Sequence, residues 1–162
     1  MSGTTNDERN QWRGDAPAPD AGAEFEADLQ CALRNTSPVL ITAPAGFAEE
    51  VATRIHRQGP NRRGAFLTID CGKTHRPEQL EVVFEAAAPR GTVFLRDVDR
   101  LAPTLQTLLF VRMAPLGVRV IAATSESLLS ATAKGTFDER LFYRLNQIHL
   151  IAAPAASPYP AA

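Results

Sequence analysis

The sequence is short of cysteine and of long apolar runs. Its two cysteines, Cys31 and Cys71, lie far apart, neither belongs to a CxxC pair, and the three histidines are equally scattered. We therefore expect no disulfide framework and no metal site. No apolar stretch approaches the roughly 20 residues of a bilayer-spanning helix, and the first residues lack the apolar core of a signal peptide. These absences predict a cytoplasmic protein without a membrane partner.

An excess of either charge is also missing. The chain has 17 Lys and Arg against 18 Asp and Glu, which gives a formal net charge of -1 at pH 7. Such a balance lacks the positive surplus that attracts phosphate backbones, so we expect no direct binding of nucleic acid. Arginine outnumbers lysine by fifteen to two, but the arginines are dispersed and matched by carboxylates. A compositional bias explains them better than a recognition surface does.

Composition divides the 162 residues into three parts. Residues 1–22 are polar and contain Gly and Pro, and residues 153–162 are rich in Pro and Ala. Both ends are predicted to be disordered, because they cannot bury enough apolar surface to offset the entropy of ordering. Residues 23–152 are long enough for one folded domain. Trp12, in the predicted leader, is either an isolated aromatic residue or a contact in a segment that folds on binding.

Between these ends, short aliphatic or β-branched runs alternate with stretches of helical periodicity. The runs predict five buried strands, at residues 39–42, 65–69, 92–95, 118–124 and 147–151. Three predicted helices lie between the first four strands. Their apolar faces consist of Ala48, Val51, Ala52 and Ile55, then Leu80, Val83, Phe84 and Ala87, then Leu105, Leu108, Leu109 and Met113. This order predicts an α/β fold with a doubly wound, mostly parallel five-stranded sheet, whose ligands bind at the carboxyl ends of the strands.

Two segments late in the domain carry a specific resemblance. They read VRVIAATSESL from Val118 and GTFDERLFYRLN from Gly135. With the strands before them, they resemble the AAA+ ATPase domain of bacterial sigma-54-dependent enhancer-binding activators over residues 36–151. The resemblance implies a P-loop NTPase core that hydrolyses ATP in a hexameric ring and remodels the sigma-54 form of RNA polymerase.

The phosphate loop departs from what ATP binding requires. A working loop has glycines that let backbone N–H groups close on the phosphates, a lysine that reaches them and a hydroxyl on the magnesium. Residues 43–50 read APAGFAEE, so Gly46 alone is kept and Pro44 removes a donor. Glu49 or its neighbour stands where the cation is needed, and repulsion in place of attraction costs several kcal/mol. We interpret Glu49 and Glu50 as first-turn carboxylates that complement a helix dipole.

Three other positions of the inherited site are altered. Arg96 and Asp97 stand where the resemblance implies an Asp-Glu pair that supports magnesium and orients water. Arg96 cannot hold a cation, so Asp97 is expected to pair with Arg96 or Arg100. Ser125 replaces the asparagine of a Thr-Asn sensor, while the hydroxyl of Thr124 is kept.

The arginine-finger region is rearranged. The first arginine that the resemblance implies falls on Asp138, Arg144 is kept, and an additional arginine stands at Arg140. Arg140 and Arg144 are like charges at helical i, i+4 spacing, which is mildly destabilising unless carboxylates engage them. They either pair within the chain, for instance with Asp97 or Asp99, or face a partner.

Three larger parts are expected to be absent. Between Cys71 and Gly91 the sequence provides one crossover helix and no GAFTGA loop, the part that contacts sigma-54 in the family. The sequence also ends after the fifth strand, so we expect neither a helical lid nor a helix-turn-helix DNA reader.

These departures favour a catalytically inactive relative, without catalytic residues, metal or cofactor, that binds a protein partner in transcriptional or signalling control. The partner is an AAA+ activator or another regulator, and the oligomeric state is not predicted. The vestigial pocket comprises Gly46, Glu49, Arg96, Asp97 and Ser125, and the candidate interface comprises Arg140, Phe142, Tyr143 and Arg144. The alternative is a regulator that still binds ATP with magnesium, through backbone N–H groups near Gly46 and through Arg96. A folded remnant without a role is the third reading.

Overall fold

The computed structural model describes residues 21–113 and 117–152. Its strands are β1 (Val39–Thr42), β2 (Phe66–Asp70), β3 (Thr92–Arg96), β4 (Arg119–Thr124) and β5 (Ile148–Ile151). They form one parallel sheet in the order β2-β3-β4-β1-β5. The predicted α/β fold is confirmed, and each predicted strand boundary lies within one residue of the observed one. Trp12, most of the predicted leader and residues 153–162 lie outside the described residues.

The helices cover both faces of the sheet. They are α1 (Ala21–Arg34), α2 (Ala45–Gln58), α3 (Pro77–Ala87), α4 (Pro103–Arg112), α5 (Leu128–Ala133) and α6 (Glu139–Leu145), with short 3₁₀ turns at Cys71–Lys73 and Val98–Arg100. The three helices predicted between the first four strands correspond to α2, α3 and α4.

Helix α1 was not predicted and begins two residues inside the predicted leader. Phe25, Leu29 and Ala32 share one of its faces, and Leu29 and Ala32 are buried. That i, i+4, i+7 spacing was the available signal. The polar, Gly- and Pro-containing segment before it obscured where the helix begins.

The strands are apolar on both sides because helices cover both faces of the sheet. Alternate residues of β1 point to opposite faces, so Ile41 packs under α1 and α2 while Leu40 packs under α3, α4 and α6. The core under α1 and α2 contains Leu29 and Ile55, and the core under α3, α4 and α6 contains Phe84. The sheet thus separates the α2 surface from the α6 surface.

A buried arginine on the sheet hydrogen-bonds to α1. Arg119, the first residue of β4, is 2% exposed, and its Nη2 donates to the carbonyl of Ala32 at 2.6 Å. Ala32 lies in the last turn of α1, where carbonyls lack partners within the helix and the helix dipole favours a cation. Burial lowers the pKa of Arg119 to about 10, so it stays charged at neutral pH. Its Nε and Nη1 have no hydrogen-bond partner among the described residues.

Two histidines hydrogen-bond to threonines on the strands. His56 Nδ1 lies 2.8 Å from Thr92 Oγ1, and His149 Nε2 lies 2.8 Å from Thr42 Oγ1. Burial is the main cause that lowers the pKa of each imidazole below its usual 6.5. For His56 the nearby Arg119 acts in the same direction.

We expect the protein to lose stability as the pH falls below about 6.5. In that range the unfolded chain protonates both histidines while the folded protein does not, so the unfolded state binds more protons. The loss of stability begins as the pH falls through the histidine pKa of the unfolded chain, and it is complete below the lowered histidine pKa of the folded state. Urea unfolding at several pH values between about 7.5 and 5 measures it. The double variant His56→Gln/His149→Gln should show a flatter pH dependence in this window, and an unchanged slope would contradict the assignment.

Candidate functional site

The carboxyl ends of β3, β4 and β1 lie side by side and bring the predicted vestigial pocket to one edge of the sheet. The backbone N–H of Ala43 donates to the carbonyl of Thr124 at 3.1 Å, which joins the segment after β1 to the end of β4. Glu49 and Arg96 lie in contact at the same edge. The topology therefore brings Glu49 and Arg96 together at the edge where the sequence places the vestigial pocket.

The link between β1 and α2 is only two residues long, Ala43 and Pro44. Pro44 has φ -55° and ψ 143°, and α2 starts directly after it, without a side-chain cap. Glu49 and Glu50 consequently lie in the second turn, and the first turn of α2 contains no acidic residue. Our interpretation of both glutamates as first-turn carboxylates is therefore wrong, because the helix begins at Ala45, a full turn before Glu49.

Glu49 instead forms an ion pair across the cleft. Its Oε2 lies 3.0 Å from Nη2 of Arg96, at the end of β3, and both side chains are partly exposed. Asp97 was expected to pair with Arg96 or Arg100, so the pairing of Arg96 with Glu49 is a second correction. The position implied to carry the phosphate-binding cation holds an anion, and the position implied to support magnesium holds a cation. This reciprocal exchange of charge was the sequence signal that could have predicted the pair.

Asp97 makes no ion pair within residues 21–113 and 117–152, either with Arg96 or with Arg100. Its backbone is left-handed (φ 51°, ψ 53°), a conformation that aspartate tolerates better than most residues. The cleft therefore keeps one carboxylate that the folded chain leaves without an arginine.

The hydroxyl kept at the sensor position is already engaged. Thr124 Oγ1 donates to Asp99 Oδ1 at 2.8 Å and accepts from the N–H of Glu126 at 3.0 Å. Ser125 is exposed. Asp99, proposed from the sequence as a partner for Arg140 or Arg144, is thus bonded to the strand end instead.

Cys71, at the end of β2, does not provide a nucleophile to this edge. It is 1% exposed, and burial, reinforced by Asp70, Asp97 and Asp99, raises the pKa of its thiol to about 12. The protonated thiol is the unreactive form. In the ranges that the structure describes, no three His, Cys, Asp or Glu residues are grouped so that they could hold a metal ion. None of the helices described there combines the length and apolar character of a membrane span.

Gly46 is not required by the backbone around it. It lies in the first turn of α2, and a Cβ built on it would meet no atom within 4 Å. We expect Gly46→Ala to raise the free energy of unfolding by about 0.5 kcal/mol, because alanine favours the helix and restricts the unfolded chain. Urea unfolding measures this. Gly91→Ala is the matched control and should destabilise, since its Cβ would collide with the carbonyl of Ala87. A loss of stability in Gly46→Ala would contradict the prediction.

Two of the candidate interface residues, Arg140 and Arg144, lie against Phe110 on the other side of the sheet. The guanidinium carbons of Arg140 and Arg144 lie 5.1 and 4.0 Å from the centre of its ring. Arg144 Nη1 donates to the Phe110 carbonyl at 3.1 Å, and Arg140 Nη2 lies 3.3 Å from Asp138 Oδ2. Both arginines are engaged within the chain, but through Phe110 and Asp138. The suggested partners at the strand ends, Asp97 and Asp99, are not involved.

Asp138 also begins α6. Its Oδ1 accepts the backbone N–H groups of Arg140 and Leu141 at 2.8 and 3.1 Å, and hydrogen bonding by Arg140 is the main cause that lowers the pKa of this carboxyl. Phe142 is 7% exposed and packs in the core, so it does not belong to the surface for which the sequence suggested it. Tyr143 is 60% exposed and does belong to it.

Comparison with known proteins identifies the family. The family described as Sigma-54 interaction domain matches residues 20–154. The nitrogen fixation protein AnfA of Azotobacter vinelandii is 33% identical over 150 residues, covering 72% of this chain and 28% of the relative. The transcriptional regulatory protein GlrR of Escherichia coli K12 is 35% identical over 146 residues, covering 69% and 32%. The chain spans about a third of the length of these relatives.

Solved structures share the fold. NtrX from Brucella abortus superposes with a TM-score of 0.72 at 24% identity, covering 93% of this chain and 41% of NtrX. The P-loop NTPase domain of the Escherichia coli sigma-54 transport activator superposes with a TM-score of 0.69 at 19% identity, covering 86% of this chain and 99% of that domain. With the sheet order and the family match, this places the sequence among known proteins: the chain belongs to the sigma-54 interaction domain family.

Proposed function

We propose that this chain is a sigma-54-activator-like domain that does not hydrolyse ATP and that acts in regulation by binding another protein. The ion pair between Glu49 and Arg96, at 3.0 Å, is the observation that carries the proposal. It lies in the cleft where relatives are implied to hold the phosphates and the magnesium ion.

The residues in the cleft do not fit magnesium-ATP. A triphosphate would have to separate Arg96 from Glu49 and would then meet an uncompensated carboxylate, and like charges 4 Å apart cost about 4 kcal/mol at an effective dielectric near 20. Residues 43–50 contain no lysine, and Pro44 has no N–H to offer. The strand end where a magnesium ion would need a carboxylate holds Arg96. The cleft therefore supports no catalytic step through ATP.

The crossover between β2 and β3 supports a changed mode of contact. Residues 71–91 contain one 3₁₀ turn and α3. The match to AnfA extends over 150 residues but takes up only 72% of the 162-residue chain, so the matched part of AnfA contains residues without a counterpart in this chain. We propose that the loop by which activators of this family contact sigma-54 is among them.

Calorimetric titration of the full chain with magnesium-ATP tests the proposal. We expect no binding with a dissociation constant below about 100 μM, which corresponds to about -5.5 kcal/mol, and no phosphate release on incubation. NtrX from Brucella abortus, solved in complex with ATP, is the positive control. Saturable binding below that limit would overturn the proposal.

The alternative is residual ATP binding through Arg96 and the first turn of α2. The absence of a side-chain cap on that helix favours it, because helix N-termini bind phosphate. The variant Arg96→Gln separates the two hypotheses. It should abolish nucleotide binding under the alternative, and the wild type should already lack binding under the main proposal.

The partner is proposed to be an AAA+ activator or another regulator, without direct contact to nucleic acid. Exposed Tyr143 and the two arginines beside it provide side chains of the types enriched in protein interfaces. Size-exclusion chromatography with each purified activator of the host tests the first class. Failure of every activator to shift the elution would remove that class.

A further inference from the structure

A groove of about 480 Å³ lies between α4 and α6, lined by Phe110, Arg140, Tyr143 and Arg144 among others. Its lining also includes Pro38, which precedes β1, and Gln147, which precedes β5. The carbonyl of Pro38 accepts the N–H of Ile148 at 3.3 Å, so these two strand starts are adjacent. The groove is therefore at the opposite end of the sheet from Glu49 and Arg96.

We propose that this groove binds an acidic protein segment, whose carboxylates contact Arg140 and Arg144 and whose apolar side chain packs on Tyr143. This rests on the proposed protein-binding function and specifies the chemistry of the partner. The segment is identified by its carboxylates, because a planar guanidinium matches a carboxylate with two parallel hydrogen bonds.

Phe110 holds both guanidinium groups in place before any partner arrives. Arg144 is fixed by stacking at 4.0 Å and by one hydrogen bond to the Phe110 carbonyl. The guanidinium carbon of Arg140 lies 5.1 Å from the centre of the same ring, and Nη2 donates one hydrogen bond to Asp138. The side chain of Arg140 is 64% exposed. A guanidinium carries five N–H donors, so both keep donors for a ligand. Ordering them in advance reduces the entropy lost on binding.

The charge of the groove is of one sign. Two arginines and no carboxylate line it. Asp138 beside it caps α6 through Oδ1 and lies 3.3 Å from Arg140 through Oδ2, so Arg144 is the arginine without an ion-pair partner among the described residues. A second groove, on the exposed face of α2, has Glu49 and Glu50 as well as Arg54 and Arg57 in its lining, so its charges cancel. Charge complementarity therefore favours an acidic partner at α6 and does not favour one at α2.

The test uses the full chain and a fluorescein-labelled peptide of glutamates around one phenylalanine. We expect Arg140→Gln/Arg144→Gln to weaken its binding by about tenfold or more. The matched control Arg54→Gln/Arg57→Gln removes the same charge from the α2 groove and should change binding by less than about twofold. In ¹⁵N spectra of the wild type, the Arg140 and Arg144 Nε signals and the Tyr143 amide should shift on addition of the peptide. These spectra decide the matter if the α6 double variant fails to fold.

Several results would overturn the proposal. They are equal binding of a glutamine analogue of the peptide, equal losses in both double variants, and shifts confined to residues outside the groove. Tighter binding of an oligothymidine than of the peptide through the same arginines would identify a nucleic-acid surface instead. The ATP titration is independent, so failure of peptide binding without ATP binding rejects the groove alone. If the chain binds both the peptide and ATP, the groove proposal stands and only the proposal that the chain does not bind ATP is rejected.

Discussion

Replacing Arg119 with alanine is expected to lower the free energy of unfolding by about 3 to 5 kcal/mol. The side chain is among the largest that the fold buries completely, so the truncation leaves a cavity beneath α1. It also removes the donor that reaches the Ala32 carbonyl, which leaves an unpaired acceptor at the end of the helix. Urea unfolding followed by circular dichroism measures the loss.

A second variant separates the volume of Arg119 from its charge. Arg119→Met keeps most of the volume and removes a buried cation whose Nε and Nη1 lack partners among the described residues. Replacing buried charges with apolar groups of similar size is often close to neutral, so we expect a loss of no more than about 1 kcal/mol. The exposed Arg63→Ala serves as control, within about 0.5 kcal/mol of the wild type. A methionine variant as unstable as the alanine variant would show that the hydrogen bond and the charge dominate.

Gln106→Leu is expected to cost about 3 kcal/mol, because one buried amide serves three backbone groups. Its Nε2 donates to the carbonyls of Leu101 at 2.7 Å and Thr136 at 3.2 Å, and its Oε1 accepts the N–H of Asp138 at 2.7 Å. Gln106 is 1% exposed. Leucine fills a similar volume and satisfies none of these groups. Chemical unfolding of the variant provides the value.

The same substitution should weaken the α6 groove. Gln106 joins α4 to the residue that caps α6, and α6 carries Arg140 and Arg144. We expect the variant, where still folded, to bind the acidic peptide less well than the wild type. Thr107→Ala, at the exposed neighbouring position, is the control and should change stability by less than about 0.5 kcal/mol. Unaltered stability in Gln106→Leu would contradict the assigned role.

The boundaries of β1, β3 and β4 were predictable because these central strands are buried on both faces. Burial on both sides requires a nearly continuous apolar run, such as VLIT in β1, and such runs are visible without the fold. Helix α1 was less visible, because few apolar residues mark its buried face and a polar segment precedes it. The buried roles of Arg119 and Gln106 had no local signal, since charged and amide side chains are usually exposed.

The sequence alone determined the family, the order of the five strands with the three helices between the first four, and the absence of a lysine from residues 43–50. These follow from local runs, periodicity and residue identity. Only the tertiary structure decided which groups these arginines meet: Arg96 pairs with Glu49, and Arg140 and Arg144 lie over Phe110. Ion pairs and stacking act over a few ångströms. Residues that are distant in the chain come within that range only after the sheet has brought their elements together.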